Sequence, residues 1–77
     1  MPTESDVLSA AQRVCHDDGR GVRVVDVILV GTGFAVNISF PKAPGMSDAT
    51  WWAIIQDVRD KLSGIPGVDR VLVDMTP

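Results

Sequence analysis

Residues 22–40 read VRVVDVILVGTGFAVNISF, two β-prone runs joined through Gly-Thr-Gly. Val, Ile and Phe crowd both runs, and the first is too short for an ordinary helix. Glycines at 31 and 33 suit a tight reversal, so the segment predicts a hairpin. Gly-Thr-Gly is not a phosphate-binding fingerprint, because the remaining spacing is absent and no helical pattern follows it. The second run alternates, with Phe34, Val36, Ile38 and Phe40 on one face and Ala35, Asn37 and Ser39 on the other. The first run does not alternate cleanly. A strict period of two sends Val25, Val27 and Leu29 one way. Val22, Val24, Ile28 and Val30 go the other way, with Asp26 among them. That pattern predicts a strand covered, at least partly, on both faces. An acid inside an aliphatic strand needs solvent or a partner, and Arg23 and Arg70 are the cations that would suit Asp26.

Helical patterns flank the hairpin. Thr3 reads as an N-cap, with Glu4 and Asp6 in the first turn, where the helix dipole favours acids. Val7, Leu8, Ala11, Val14 and Cys15 then fall on one face, and Gly19 stops the helix. Beyond the hairpin, Ser47 or Asp48 can cap a second helix. Its apolar face carries Trp51, Ile54, Ile55, Val58 and Leu62, with Trp52 about 100° away. Gly64 ends it. A third strand follows in VDRVLVDM, with Val71, Val73 and Met75 on one face.

The predicted class is α/β in the α+β sense, a single two-layer domain over residues 1–77 in the order α-β-β-α-β. Both helices must lie on one face of a three-stranded sheet to close a core. The helical crossover makes strand three parallel to strand two. Its neighbour, strand two or strand one, stays open. The other sheet face is then bare, with strand-one aliphatics and Leu72 on it, and such a patch marks an interface. A domain of 77 residues buries only about 60% of its unfolded surface, so self-association would stabilise it. The expectation is a homodimer through the open sheet face, or a partner contact there.

Charge and cysteine usage narrow the classes. Seven Lys+Arg stand against ten Asp+Glu, a net charge of −3, and the cations are scattered. Nucleic acid, which needs a cationic surface, is not an expected partner. No apolar run approaches the roughly 18 residues of a membrane span. A single cysteine allows no internal disulfide, and MPTESDVLSA is unlike a secretory leader. The expected compartment is the cytoplasm.

The element order, together with VVDVILV, FPKAPGMSD and KLSGIPGVDRVLVD, resembles the iron–sulfur cluster assembly domain-like family. The likeness is to its PaaD-like and SufT-like metal–sulfur cluster biosynthesis branch. HDDGRG stands where that branch has an Asp-Pro-Glu turn, and Thr76-Pro77 matches its close. The resemblance spans nearly the whole chain. It implies a cytoplasmic accessory of iron–sulfur assembly or metalloenzyme maturation, with an iron–sulfur cluster or iron as the family's cargo. Three departures qualify it. Asp17-Asp18 keeps the acids without the proline, Ile28 replaces a glycine, and Met46 falls where the family's loop has cysteine. A thiolate is the soft ligand that holds iron, whereas a thioether is a weak neutral donor. The pathway association carries over; the ligand set does not, and no cofactor is expected.

The candidate binding residues are therefore Asp17, Asp18, Asp26, Pro44, Gly45, Met46 and Trp52. Pro44 and Gly45 would fix the loop, leaving Met46 near the ends of strands one and two, close to Asp17 and Asp18. Trp52 is a contact candidate because exposed tryptophans are enriched at interfaces. Cys15 and His16 are the metal-ligand candidates, against readings as a buried hydrophobe and a solvated last-turn histidine. Adjacent helical positions point about 100° apart, which disfavours one shared metal. With one histidine and no acid–base–nucleophile spacing, no enzyme is expected. Three functions follow: a maturation accessory binding a client metalloenzyme or assembly factor; a dedicated non-catalytic subunit or effector of one multicomponent enzyme such as an oxygenase; and a metal binder using Cys15, His16 and the aspartates.

Overall fold

The computed structural model describes residues 2–74, so Met75 and Thr76-Pro77 lie outside the described residues. The element order is α1 (Glu4–Asp18), β1 (Arg23–Val30), β2 (Gly33–Ser39), α2 (Asp48–Ser63) and β3 (Val68–Asp74). Thr3 caps α1 reciprocally. Its hydroxyl accepts from the Asp6 N–H at 3.1 Å, and the Asp6 carboxylate accepts from the Thr3 N–H at 3.0 Å. Ser47 caps α2 by accepting from the Thr50 N–H at 3.1 Å.

The sheet order is β1-β2-β3, with β1 antiparallel and β3 parallel to β2. This settles the neighbour left open by the sequence: β3 lies beside β2, which becomes the central strand. Gly31 and Thr32 make the hairpin turn. A positive φ of 63° at Gly31 provides the first central residue of a II′ hairpin. Both helices pack on one side of the sheet in a single core, with Val36, Ile38, Ile55, Val58 and Leu62 at 0% exposure. Each such side chain contributes about 1.5–3 kcal/mol through burial. Trp51 closes one end. Its indole N–H donates to the Phe40 carbonyl at 2.7 Å, and its ring stacks on Phe40 with centroids 6.4 Å apart.

The faces of β1 differ from the strict period-two expectation. The pairing with β2 shifts between Val24 and Asp26, so Val25 is the extra residue of a β-bulge. The bulge resets the phase. Val22 and Val24 point to the core with Val27, rather than opposite to it, and Val25 is 53% exposed. Coverage on both faces is likewise corrected, because the helices cover one side only and Ile28 and Val30 stay exposed on the other.

Helix α1 crosses the sheet diagonally. Val7 lies near Phe34 and Gly67 at one end, while Cys15 and His16 border Val22 and Val24 at the other. The corner of β1 beyond Val27 is thereby left bare. Leu29 pairs with Phe34 on the helix side, yet it is 62% exposed.

Candidate functional site

The loop between β2 and α2 is shaped by its sequence. The Met46 N–H donates to the Ala43 carbonyl at 3.0 Å across Pro44 and Gly45. Proline at the second position and glycine at the third, with φ of 85°, are the requirements of a type II turn. Lys42 ties the loop to Asp48 at the start of α2. Pro44 and Gly45 are exposed, whereas Met46 is half-buried and packs against the hydrophobic core. The loop thus has a defined backbone, and Met46 serves as packing.

The two aspartates that close α1 have different surroundings. Asp17 is exposed. The Asp18 side chain is only 2% exposed and accepts from Arg20 at 2.6 Å and from Lys61 at 3.0 Å. Arg20 also bonds Asp57, and Asp57 meets Lys61 one turn away on α2. Four charges thus join the end of α1 to the middle of α2. The Arg20 hydrogen bond, aided by Lys61, holds the Asp18 carboxyl well below the usual carboxylate range. The same guanidinium lowers Asp57, and Asp18 raises Lys61.

This network also measures out the site. Asp57 lies nine positions after Asp48, about 14 Å along the helix axis. Asp18 is anchored beside Asp57 and Lys61, and Met46 precedes the helix. The expected convergence of Asp18 with Met46 is therefore corrected: the carboxylate is held by Arg20, which follows α1, and by Lys61 in the last turn of α2. The sequence reading missed Arg20, Asp57 and Lys61, although the i,i+4 spacing of Asp57 and Lys61 was a visible signal.

Cys15 is buried, and burial, with the nearby Asp18 charge, pushes its thiol pKa up. His16 is exposed. Both border a depression of about 450 Å³ that also touches Gln12, Val22, Arg23 and Val24. Among the described residues no three His, Cys, Asp or Glu side chains are grouped to hold a metal ion.

The uncovered sheet face carries exposed aliphatic side chains. Adjacent positions form three rows across it, Ile28–Ala35–Arg70, Asp26–Asn37–Leu72 and Arg23–Ser39–Asp74. Ile28 and Leu72 are each 43% exposed, while Ala35 between strands is fully buried. Asp26 lies on this face and accepts from the Asn37 amide. It is thus satisfied by Asn37, and among the described residues it forms no ion pair with Arg23 or Arg70. Trp52 is 44% exposed on α2 and stands edge-on to Trp51, with centroids 4.9 Å apart.

No helix among the described residues is long and apolar enough to cross a membrane. The chain matches no family model, no curated protein and no solved structure.

Proposed function

We propose that this chain is a small non-catalytic accessory protein of iron–sulfur cluster assembly or metalloenzyme maturation. It acts in the cytoplasm by binding a client metalloenzyme or an assembly factor, and it holds no cluster through the 41–47 loop. The pathway rests on the resemblance of VVDVILV, FPKAPGMSD and KLSGIPGVDRVLVD to that family. The mode of action rests on one observation: Ile28, Val30 and Leu72 stay exposed on a sheet face at whose centre Asp26 and Asn37 already bond each other, with the charged Arg23, Arg70 and Asp74 towards its edges. A pre-satisfied polar pair flanked by bare aliphatics costs little to desolvate, which favours docking of a protein surface. Met46 as a packing residue, and Asp18 held between two cations, support binding rather than ligation.

Affinity purification from the native cells, with Leu72→Arg and Trp52→Ala beside wild type, tests the reading. Several iron–sulfur clients or assembly factors should accompany the wild type, and Leu72→Arg should lose them. Recovery of one enzyme complex alone would instead make the chain a dedicated subunit. Anaerobic incubation with iron and sulfide should leave the wild type without a cluster. A stoichiometric cluster abolished by Cys15→Ser would make it a metal binder.

A further inference from the structure

We propose, building on the docking role given to the open sheet face, that this face seats one amphipathic α-helix of a partner protein. The helix lies along β2, with its apolar stripe on Ile28, Val30 and Leu72 and a basic side chain towards Asp26. The shape of the face points to such a rod. β2 places only Gly33, Ala35, Asn37 and Ser39 on this side, and none of them is exposed. The positions that flank them are exposed, Ile28 and Val30 on β1 and Arg70 and Leu72 on β3 among them. Small side chains thus floor a shallow trough between two taller walls. Neighbouring strands lie about 4.8 Å apart, so the walls stand about 10 Å from each other, close to the diameter of one helix. Asp69 closes one end of the trough, since a Cβ on Gly33 would meet the Asp69 Cβ at 2.6 Å.

Hydrogen bonding and charge select among the possible occupants. The backbone N–H and C=O groups of β2 lie in the plane of the sheet and are taken by β1 and β3 on either side. An extended segment laid on the face would find no ladder there, and its own backbone groups would be left unpaired. A helix satisfies its backbone internally and presents only side chains. A second copy has the same trough. Seating its β1 wall here would carry Asp26 and Arg23 in with the aliphatics and desolvate both charges. Among the described residues Asp26 has no cation paired with it, and the Asn37 amide fills only part of its acceptor capacity. A Lys or Arg on the docking helix supplies the rest beside the aliphatic wall. The cations of the face stand at its margins, Arg70 at 3.5 Å from Asp69 and Arg23 at the far end. A net charge of −3 likewise favours a basic partner.

NMR titration of the isotope-labelled chain with a Leu/Lys/Ala peptide of about 18 residues, its leucines forming one helical stripe, tests this. Amide shifts should centre on Asp26, Ile28, Ala35, Asn37 and Leu72, and circular dichroism should show the peptide gaining helix. Leu72→Arg should weaken binding about tenfold and Asp26→Asn about two- to fivefold. Leu29→Arg, on the helix side, should change it by less than about twofold. Circular dichroism of each variant confirms that these exposed substitutions fold. A peptide of the same composition with a central proline should bind at least about tenfold more weakly. No shift on the open face up to about 1 mM peptide, or shifts centred elsewhere, would overturn the proposal. Equal binding of the proline peptide would overturn it in favour of an extended segment. A dimer of the chain alone, seen by sedimentation and lost in Leu72→Arg, would give the trough to a second copy and overturn it too. The peptide is synthetic, so these outcomes do not depend on which clients are recovered from cells, and the two readings fail separately.

Discussion

Ile38 and Ile28 are the same residue type on neighbouring strands, and one is fully buried while the other is 43% exposed. The difference lies in the two faces of one sheet. On the covered face, Val27, Val36 and Val71 form a row beneath both helices, and all are buried. On the open face the row Ile28–Ala35–Arg70 is closed only at its centre, by the strands themselves. Aliphatic content is similar on both sides of β1. What separates core from surface is the presence of a second layer, because burial needs matter on the far side of the side chain. The covered face therefore holds the stability, while the open face and the outer half of β1 leave apolar side chains in solvent.

The sharpest way to break that comparison is Trp51→Ala. It removes a nearly buried ring, its stack on Phe40 and the bond to the Phe40 carbonyl, and should cost about 3–5 kcal/mol. Urea unfolding should show this as a large drop in midpoint. Trp52→Ala, on the same helix but exposed, should cost less than about 1 kcal/mol. Equal losses would mean that the burial assigned to the two rings is wrong.

Next comes the isoleucine pair. Ile38→Ala should cost roughly 2–5 kcal/mol, and Ile28→Ala under about 1 kcal/mol in dilute monomer. If Ile28→Ala is as costly as Ile38→Ala at low concentration, the open face is not open.

The ion network gives a third, smaller effect. Asp18→Asn should destabilise by about 1 kcal/mol, since the cations that hold the carboxylate are themselves well exposed to screening solvent. The pH dependence has a definite sign. Asp18 and Asp57 both titrate below their ordinary value of 3.8 in the folded chain. Their contribution is fully present above 3.8 and is lost as pH falls below it towards the folded values. Wild type should thus lose more stability than Asp18→Asn between pH 4 and about 2, as measured by denaturant melts at each pH. Parallel curves would show that the network contributes nothing.

The smallest expected change is Leu72→Arg in the isolated monomer. A shift within about 0.5 kcal/mol is expected, because the side chain already meets water. Together with a loss of client binding, that outcome would separate stability from recognition.

Much of this was legible from local signals. The N-cap at Thr3, a cap at Ser47 or Asp48, the turn at Pro44-Gly45 and the helix phase at Trp51 each depend on residues within a few positions; each is found, with Ser47 as the second cap. The alternation of β2 was equally plain, since a central strand repeats without interruption. The candidate site was less so. The loop's shape was readable, but whether Met46 would pack or project was not. The position of Asp18 depended on Arg20 and on α2 residues 39 and 43 positions away.

The sequence by itself determined the elements, their order, the parallel crossover and the single helix-bearing layer, because periodicity, caps and turn residues act over short range. Only the tertiary structure decided four other things. It put β3 beside β2, placed the bulge at Val25, drew Asp18 onto α2 and left Leu29 bare. Each depends on how one element meets another. The diagonal of α1 and the sheet register arise from the fit of whole surfaces, which no short window of residues contains.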